Sequence, residues 1–557
     1  MSRDRLIYLP LGGAGEIGMN AYVYGHGPEG KERLILVDLG IAFPDMDSTP
    51  GVDVILPDIA WLLERRDRLE GSFVTHAHED HVGGVGHLFQ QLQVPVHCRA
   101  FTANIARRKL AEKGQDEEMV KVADPFPAMV EAGPFQVGFL PISHSIPESS
   151  ALVIDTPEGR ILHSGDFKID HAPVLGEPFD EDAIREVAKP GIRALVCDST
   201  NVFNDYEGRS ESLVGPNIRE LVSNATGMVV ATTFASNVAR LKSLADAGAA
   251  AGRSICLMGR AMRRMTEAAV EEGILTDFPP TVSPEDAAQI PRENLMLIVT
   301  GSQGERRAAS AQLSQGKYFG MEMREGDTFL FSSKTIPGNE KDVARIMNNF
   351  SEMGVDVVTD DDGLYHVSGH ANRPDLQAVQ ELTDPQVVIP MHGEHRHLRA
   401  HAKLAESLNR RGIVAPNGTV VDLAGNDPRV VDHVETGRTY LDGSTLVGQF
   451  DGVVRDRIRM ALNGHVVVAV MVEDDDRVMD DTWVSLRGLP ESGPSGRDLA
   501  AEMERELAQR LERIDRRTAG DDEALEGLVK KAVQTVAQEE IGKRPEVTVL
   551  ITRFAAE

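Results

Sequence analysis

The residues with the clearest chemical potential form segment 75–81, which reads Thr-His-Ala-His-Glu-Asp-His. Three imidazoles and a carboxylate so close together are poor core formers, because each would need a buried partner. On an extended backbone, residues two apart point the same way, so His76 and His78 can bind one cation together. A turn in the middle of the segment would then bring Asp80 and His81 to a second position. This ligand set contains no thiolate, so it favours Zn²⁺, with Mn²⁺ as the alternative.

Four further metal-binding or catalytic candidates follow apparent strand ends, where open sheets place functional residues. They are His144 in Ile-Ser-His-Ser, Asp166 in Ser-Gly-Asp-Phe, Asp198 in Asp-Ser-Thr, and His392 in Met-His-Gly-Glu. Each of them alone is more commonly an ordinary loop residue. Together they carry weight, because two metals need more ligands than one short segment supplies.

Segment 366–370, His-Val-Ser-Gly-His, indicates a site for an anion. If it is extended, His366, Ser368 and His370 share one face. With Ser236 and Asn237, their hydroxyl, amide and imidazole donors could bind a terminal phosphate without a large positive net charge. The alternative is a polar strand end that binds no ligand.

The elements around these residues indicate one α/β domain interrupted by another. The first two hundred residues contain short apolar strands that are each followed by a cluster of polar residues, and the same pattern returns at 387–390. Between them, helices and strands alternate as in a parallel, wound sheet. We therefore predict a first domain made of residues 1–205 and 368–445, with an inserted domain at 206–367. A linker at 446–460 and a small α+β domain at 461–557 would follow. The apolar helix positions of this last domain, such as Leu499, Met503 and Leu507, suit either its own core or an oligomer interface.

Composition excludes several classes of protein. The chain has 557 residues and a formal net charge of −29, which argues against indiscriminate nucleic-acid binding through net charge. Three widely spaced cysteines exclude a disulfide framework and a thiolate zinc site, and they favour the reducing cytoplasm. No apolar run approaches the ~18 residues of a membrane span, and no secretory signal is visible.

Three basic clusters remain candidates for local contacts with nucleic-acid phosphates despite the acidic balance. They are Arg107-Arg108-Lys109, Arg260 with Arg263 and Arg264, and Arg306-Arg307. Each cluster also suits an ordinary helix surface. The chain has only 27 aromatic residues (2 Trp, 7 Tyr and 18 Phe), so recognition of sugar and phosphate is favoured over extensive base stacking.

The motif Gly13-Ala14-Gly15-Glu16-Ile17-Gly18 matches the dinucleotide-binding fingerprint, and Asp38 lies 20 residues beyond it. That fingerprint requires a helix to begin at the glycines. Residues 21–24 are strand-like instead, which predicts a β-hairpin. We therefore expect no nucleotide cofactor.

Taken together, the motifs resemble those of metallo-β-lactamase-fold hydrolases, whose αββα sandwich carries His-x-His-x-Asp-His, a later His and a later Asp. The inserted domain resembles the β-CASP domain of nucleic-acid-processing members. The order of motifs, the opening Gly-Gly-Ala-Gly-Glu-Ile-Gly-Met-Asn and segment 233–237 (Thr-Phe-Ala-Ser-Asn) most resemble the ribonuclease J family.

This resemblance implies a role for each candidate residue. His76, His78 and His144 would bind a first Zn²⁺, Asp80, His81 and His392 a second, and Asp166 would bridge them. Asp38 would orient the ligands without binding metal. The catalytic residues would be Asp80, Asp198 and His370, and the pocket for the 5′ nucleotide would comprise Ala235, Ser236, Asn237, His366, Val367, Ser368, Gly369 and His370.

The resemblance also implies an activity. Two metals would activate a hydroxide that attacks the phosphodiester in line. The expected enzyme is a 5′→3′ exonuclease on 5′-monophosphorylated single-stranded RNA, with endonuclease activity in addition, acting in RNA maturation and decay as a homodimer or homotetramer. Two alternatives stay open: a hydrolase of small esters or lactams on the same metals, and an inactive RNA-binding scaffold.

Overall fold

The computed structural model describes residues 4–479 and 481–554, which form two compact units. The first consists of the described residues of Met1–Ala42 and Leu56–Arg438, and the second of those of Phe43–Ile55 and Thr439–Glu557. Among the described residues, no helix is both long and apolar enough to cross a membrane.

Two facing sheets form the centre of the first unit. One has eight strands, in the order Arg429–His433, Thr419–Asp422, Asp4–Gly12, Ala21–Pro28, Arg33–Val37, Leu69–Phe73, Val96–Cys98 and Val120–Val122. The other has seven, in the order Arg411–Gly412, Val387–Met391, Ile192–Asp198, Gly159–His163, Ser150–Thr156, Phe135–Pro141 and Val130–Ala132. Side chains such as Tyr24 and Phe73 from one sheet and Phe139 and Ile154 from the other form a common buried core.

Helices cover the outer faces of this sandwich. On the seven-stranded sheet, Leu162 and Leu195 pack against Val187, Leu376 and Leu404 of three different helices. The helices of eight or more residues in the sandwich are Val85–Leu92, Ala100–Ala111, Glu181–Ala188, Arg373–Thr383 and His395–Ser407. The predicted αββα sandwich is confirmed.

The inserted domain is built on a fully parallel five-stranded sheet. Its order is Ser254–Met258, Leu295–Val299, Val229–Thr232, Thr328–Phe331 and Asp356–Val358. Separate hydrophobic cores lie on its two faces, as expected when helices cover both sides of a wound sheet. Its longer helices are Val214–Asn224, Val238–Ala250, Arg260–Glu271 and Glu340–Glu352. The prediction of a wound α/β insertion is confirmed.

The second unit contains a three-stranded sheet in the order Trp483–Arg487, His465–Val472 and Glu546–Arg553. Its helices Leu499–Leu511 and Asp522–Ile541 cover one face, and Val453–Asn463 precedes the sheet. Leu499, Met503 and Leu507 are fully buried, so these helix positions form the core of the unit. The strands Val54–Pro57, Arg438–Asp442 and Thr445–Gly448 form a small sheet near the predicted linker. The domain boundaries drawn from the sequence remain predictions.

The glycine-rich opening folds as a hairpin. Ala21–Pro28 pairs antiparallel with Asp4–Gly12, so no helix begins at the glycines. The geometry that a dinucleotide pyrophosphate requires is therefore absent from this segment.

Candidate metal centre and phosphate pocket

Segment 75–81, the metal loop, follows the strand Leu69–Phe73 and is held by Asp38. The fully buried Asp38 carboxylate accepts hydrogen bonds from the Thr75 amide at 2.8 Å and the Thr75 hydroxyl at 3.0 Å. It lies 2.7 Å from Nδ1 of His81. Because this contact places a ring proton on Nδ1, it leaves Nε2 as the nitrogen of His81 that faces the centre and can become the ligand atom.

A second loop lies directly under the metal loop. The amides of Leu39 and Ile41 donate to the carbonyls of His81 and Glu79 at 2.8 and 3.0 Å. Between them, a Cβ added to Gly40 would lie 1.7 Å from the carbonyl oxygen of Asp80, so only glycine fits. The position of Asp80 therefore depends on this close approach of two backbones.

The first metal cluster consists of His76, His78, His144 and Asp166, whose ligand atoms all lie within 4.8 Å of one another. Nδ1 of His78 is 3.1 Å from Nε2 of both His76 and His144. Burial, with repulsion among the neighbouring imidazoles, lowers the pKa of His76 and His144 well below the usual value. These rings are therefore neutral and can donate lone pairs. Nδ1 of His144 donates to the carbonyl of Gly369 at 2.6 Å, which fixes its orientation.

The second metal cluster consists of Asp80, His81, Asp166 and His392, again within 4.8 Å. Nε2 of His81 is 3.1 Å from Asp166, and Nε2 of His392 is 3.0 Å from Asp80. Burial favours a neutral His392, but Asp166 and the neighbouring carboxylates outweigh it and raise its pKa to about 10. Asp166 belongs to both clusters, and its buried Oδ1 has no hydrogen-bond partner among the described residues. Imidazole nitrogens and carboxylates in this arrangement are a fitting donor set for divalent cations.

Asp198 and His370 lie beside the second cluster. Nδ1 of His370 donates to Oδ2 of Asp198 at 2.8 Å, and the other oxygen, Oδ1, accepts from the amide and hydroxyl of Thr200. Burial would raise the pKa of Asp198, but His370 and His392 outweigh it and lower the pKa well below its usual range. The His370 side chain is 22% exposed, whereas Asp198 is buried, so His370 is the member of the pair that can contact a ligand.

The two segments of the predicted pocket meet on the inserted domain. Ala235 and Val367 pack on the same hydrophobic core there. Asn201 donates to the Ser368 hydroxyl oxygen at 2.8 Å, which leaves the Ser368 proton free to donate. The Asn237 side-chain oxygen instead accepts from the Arg240 amide at 2.9 Å as a helix cap, so only its NH₂ group remains for a ligand.

Segment 366–370 is not an extended strand, so the condition for a shared face is not met. The Ser368 hydroxyl accepts from the His370 amide two residues on at 3.2 Å, which turns the chain locally. Val367 is buried, so any contact of this residue with a ligand must come from its backbone. His366 is also largely enclosed, and its Nδ1 has no partner among the described residues.

Sequence reasoning missed Asn20, whose side-chain NH₂ group lies 3.0 Å from both the Asp80 carbonyl oxygen and Nε2 of His81. The sequence feature that could have indicated Asn20 is the glycine-rich opening before it, where Gly13, Gly15 and Gly18 have positive φ. These turns allow the chain to reach the underside of the metal loop. The glycines thus position Asn20 rather than a nucleotide.

A basic cleft of about 530 Å³ lies between helices Ala100–Ala111 and Arg260–Glu271. Its cationic lining residues are Arg108, Lys109, Arg260 and Arg264, and its acidic ones are Glu79 and Glu112. Most of these charges are paired, such as Lys109 with Glu79 at 2.7 Å and Arg264 with Glu112 at 2.6 Å. Arg260 has no ion pair within the described part of the chain. The cleft reaches the metal loop at Glu79.

Four family models match successive parts of the chain. The Metallo-beta-lactamase superfamily matches residues 15–199, and the Ribonuclease J beta-CASP domain matches 226–350. The Zn-dependent metallo-hydrolase RNA specificity domain matches 363–416, and the Ribonuclease J C-terminal domain matches 452–554. The match at 363–416 includes the pocket segment and His392.

Whole-chain relatives agree with these models. Ribonuclease J of Sinorhizobium meliloti is 39% identical over 99% of this chain and 98% of its own length. Ribonuclease J 1 of Streptococcus pyogenes is 31% identical over 96% of this chain and 95% of its own. Among solved structures, a protein of unknown function from Enterococcus faecalis shares the fold, with a TM-score of 0.51 and 16% identity over 75% of this chain and all of that one. The chain therefore belongs to the ribonuclease J family.

Proposed function

We propose that this chain degrades single-stranded RNA from a 5′-monophosphorylated end in the 5′→3′ direction, with internal cleavage as a second activity. Membership of the ribonuclease J family makes it a metal-dependent ribonuclease. The observation that carries the finer proposal is the placement of segment 366–370. At Gly369 it contacts the metal-ligand candidate His144, and at Val367 it packs on the inserted domain.

Two Zn²⁺ ions, or Mn²⁺ in their place, are the proposed cofactors. His76, His78 and His144 would hold one, Asp80, His81 and His392 the other, and Asp166 would contact both. When bound, such a pair lowers the pKa of water to ~7 and offsets the negative charge of a phosphate in an in-line displacement. Asp38 and Asn20 keep the ligand loop in the geometry that this chemistry requires.

Two side chains near the proposed metals, Asp80 and His370, are assigned to the attacking water and to the phosphate. Asp80 is 29% exposed and holds its negative charge beside His392, so it can orient the attacking water. His370 can hydrogen-bond a non-bridging phosphate oxygen or give a proton to the leaving oxygen, because Asp198 supports its protonated form. Burial disfavours that form, but Asp198 outweighs burial and raises the pKa of His370.

The charge around His366 suits a terminal phosphate. Burial, with repulsion from Arg240, Lys334 and Lys168, lowers the pKa of His366 to about 3. Of these cations Lys334 is exposed, so it is the one that an incoming phosphate can reach. The Ser368 hydroxyl and the half-buried Ser236 add neutral donors for a phosphate monoester.

The basic cleft is the proposed contact for the RNA backbone. Arg108, Lys109 and Arg264 are paired with acidic side chains, whereas Arg260 has no ion pair among the described residues, so Arg260 is the charge available to a phosphate. Contacts of this kind bind phosphates without reading sequence. We further propose a homodimer or homotetramer and a cytoplasmic location, the latter supported by three cysteines that are all buried and free.

End-labelled RNA tests the proposal. The same RNA is offered with a 5′ monophosphate, a 5′ triphosphate or a 5′ hydroxyl, and the released products are sized with and without chelator. Rapid release of mononucleotides from the monophosphate alone, abolished by chelator, is the expected result. Equal rates on all three ends would disprove the pocket, and turnover of a chromogenic ester or lactam in place of RNA would favour the alternative hydrolase.

A further inference from the structure

Arg240 is the largest fully buried side chain in the described structure, yet it contacts neither metal cluster. It lies in the helix Val238–Ala250 of the inserted domain and forms a two-pronged ion pair with Glu211, with Nη2 2.9 Å from Oε2. Glu211 is itself only 5% exposed. A buried pair of this kind adds little net stability, because the cost of removing two charges from water offsets much of their attraction. The contacts that the pair makes with its surroundings therefore matter more than its energy.

The remaining Arg240 donor reaches the backbone of the predicted pocket. Nη1 donates to the Ser332 carbonyl at 2.8 Å, the Ser332 hydroxyl at 2.9 Å and the Tyr365 carbonyl at 3.0 Å. The Ser332 hydroxyl donates to the same Tyr365 carbonyl at 2.7 Å. Tyr365 immediately precedes His366, and Ser332 precedes Ser333 and Lys334. One guanidinium therefore fixes the starts of two segments that adjoin the pocket.

On its other side the pair is tied to the loops that carry metal ligands. The Glu211 amide donates to Asp170 at 3.0 Å, and Asp170 pairs with the buried Lys168 at 2.8 Å. Lys168 donates its amide to the Ser143 carbonyl at 2.9 Å. Ser143 precedes His144 in the chain, and Lys168 follows Asp166 by two residues. A continuous chain of buried polar contacts thus runs from the metal loops to the pocket.

We propose that the Arg240–Glu211 pair is a positioning device that sets the distance between the 5′-phosphate pocket and the metal pair, and hence the preference for a monophosphorylated end. This inference rests on the proposed function. Arg240 touches no substrate; it acts through the backbone of residues 332 and 365. A rigid spacing matters because a misplacement of ~1 Å can cost on the order of 100-fold in rate.

Arg240→Lys is the informative substitution. Lysine keeps the charge that Glu211 needs, but a single ammonium cannot reach the carboxylate and both carbonyls as the planar fork does. We expect the ratio of kcat/KM for 5′-monophosphate over 5′-hydroxyl RNA to fall by about 100-fold, chiefly through kcat for the monophosphate, because the bound end would be held at the wrong distance from the metals. The first product should become heterogeneous in length. Cleavage of the 5′-hydroxyl RNA and bound metal per chain should stay within about twofold of wild type.

Arg253→Lys is the matched control. Arg253 is a second buried arginine of the inserted domain. Among the described residues it donates to the carbonyls of Ala225, Gly227 and Leu295, near the ends where the parallel strands begin. It should leave the end preference unchanged. Glu211→Gln is the second test variant, since it keeps the size of the side chain and removes the charge.

The results distinguish a failure of the proposed function from a failure of the positioning role of Arg240. If the wild type shows no preference for the monophosphate, the proposed function and this inference fall together. If the wild type discriminates and Arg240→Lys discriminates equally, only the positioning role is wrong. It is also wrong if Arg240→Lys and Glu211→Gln both lose metal or fold while Arg253→Lys does not, because the pair then supports the domain as a whole.

Discussion

Asp38 shows how a residue that need not touch a metal can control its ligands. It holds Nδ1–H of His81 and thereby directs Nε2 to the centre. In Asp38→Asn the amide can present its NH₂ group to Nδ1, which would move the ring proton to Nε2 and block the ligand atom. We expect metal affinity to fall by 10–100-fold, the range typical of such supporting contacts, in a competition titration against a chelator.

Asp180→Asn is the control for this change of charge. Asp180 caps the helix Glu181–Ala188 by accepting from the Asp182 and Ala183 amides, a task that asparagine performs equally well. Its metal affinity should equal that of wild type. Unchanged affinity in Asp38→Asn would contradict the orienting role.

Metal binding should depend on pH through two rings. Burial favours a neutral His81, but Asp166, Asp80 and Asp38 outweigh it and raise its pKa well above the usual value, and His392 behaves in the same way. Burial opposes its protonation, but Asp166 and its neighbours raise its pKa to about 10, so without metal the ring is charged at neutral pH. A ligand must be deprotonated, so binding releases this proton and affinity falls as the pH is lowered below about 10. Calorimetric titrations in buffers of different ionisation enthalpy should reveal proton release at pH 7. The absence of release would show that neither His81 nor His392 gives up a proton to a metal, which would contradict their role as ligands.

The sequence predicted most of the residues that converge at the centre, because imidazoles and carboxylates at strand ends have few structural uses. It did not predict Asn20 or Gly40. An asparagine in a glycine-rich turn has many ordinary explanations. The need for glycine at position 40 arises only from a backbone 40 residues further along the chain, at Asp80.

At the scale of elements, periodicity predicted regular structure better than irregular structure. The alternating helices and strands of the inserted domain folded as expected, since each buries an apolar face. Segment 366–370 did not form a strand, because its polar groups bond within the segment and to other loops rather than to a sheet: the Ser368 hydroxyl accepts from the His370 amide and from Asn201. Those loop partners, such as Asn201, are distant in sequence and carry no local signal.

The two helices of the basic cleft provide a prediction on RNA binding. Arg260 has no ion pair among the described residues, so its charge is available to a phosphate. Arg260→Ala should weaken RNA binding uniformly across sequences and reduce the slope of log affinity against log salt by about 1. Fluorescence anisotropy with a labelled, non-hydrolysable RNA at several salt concentrations measures both.

Arg185→Ala is the control for cleft binding. Arg185 is equally a helix arginine but pairs with Glu181 and Asp182 on the sandwich surface. It should leave the salt slope unchanged. If the two variants behave alike, the cleft is not the path of the RNA.

At the scale of the molecule, the sequence predicted that one domain interrupts another, because the pattern of short strands followed by polar residues returns after the insertion. The strand Val387–Met391 pairs in parallel with Ile192–Asp198, although nearly two hundred residues separate them. Sequence alone could not give this register. It is set by the shared core and by the contacts of Asp198, Thr200 and His392 at the strand ends.

At the same scale, we propose that the second unit mediates the assembly of copies of the chain. In its sheet Ala469 pairs with both Trp483 and Leu550, so these three side chains form one row on the face opposite the helices. Trp483 is 59% and Leu550 53% exposed. We propose that copies of the chain meet at this exposed apolar row in the proposed dimer or tetramer. Light scattering should give a dimer or tetramer of the 60.7 kDa chain, and Leu550→Glu should reduce that mass.

The charge introduced by Leu550→Glu should act only where copies meet, because Leu550 lies outside the buried core of its unit. Val431→Glu, on the exposed strand Arg429–His433, introduces the same charge at an apolar position of the first unit. We expect its mass to equal that of wild type. A Leu550→Glu protein with the wild-type mass would place the interface elsewhere, and a monomeric wild type would remove it. Retained hydrolysis per chain in a monomeric Leu550→Glu protein would show that one chain contains a complete active site.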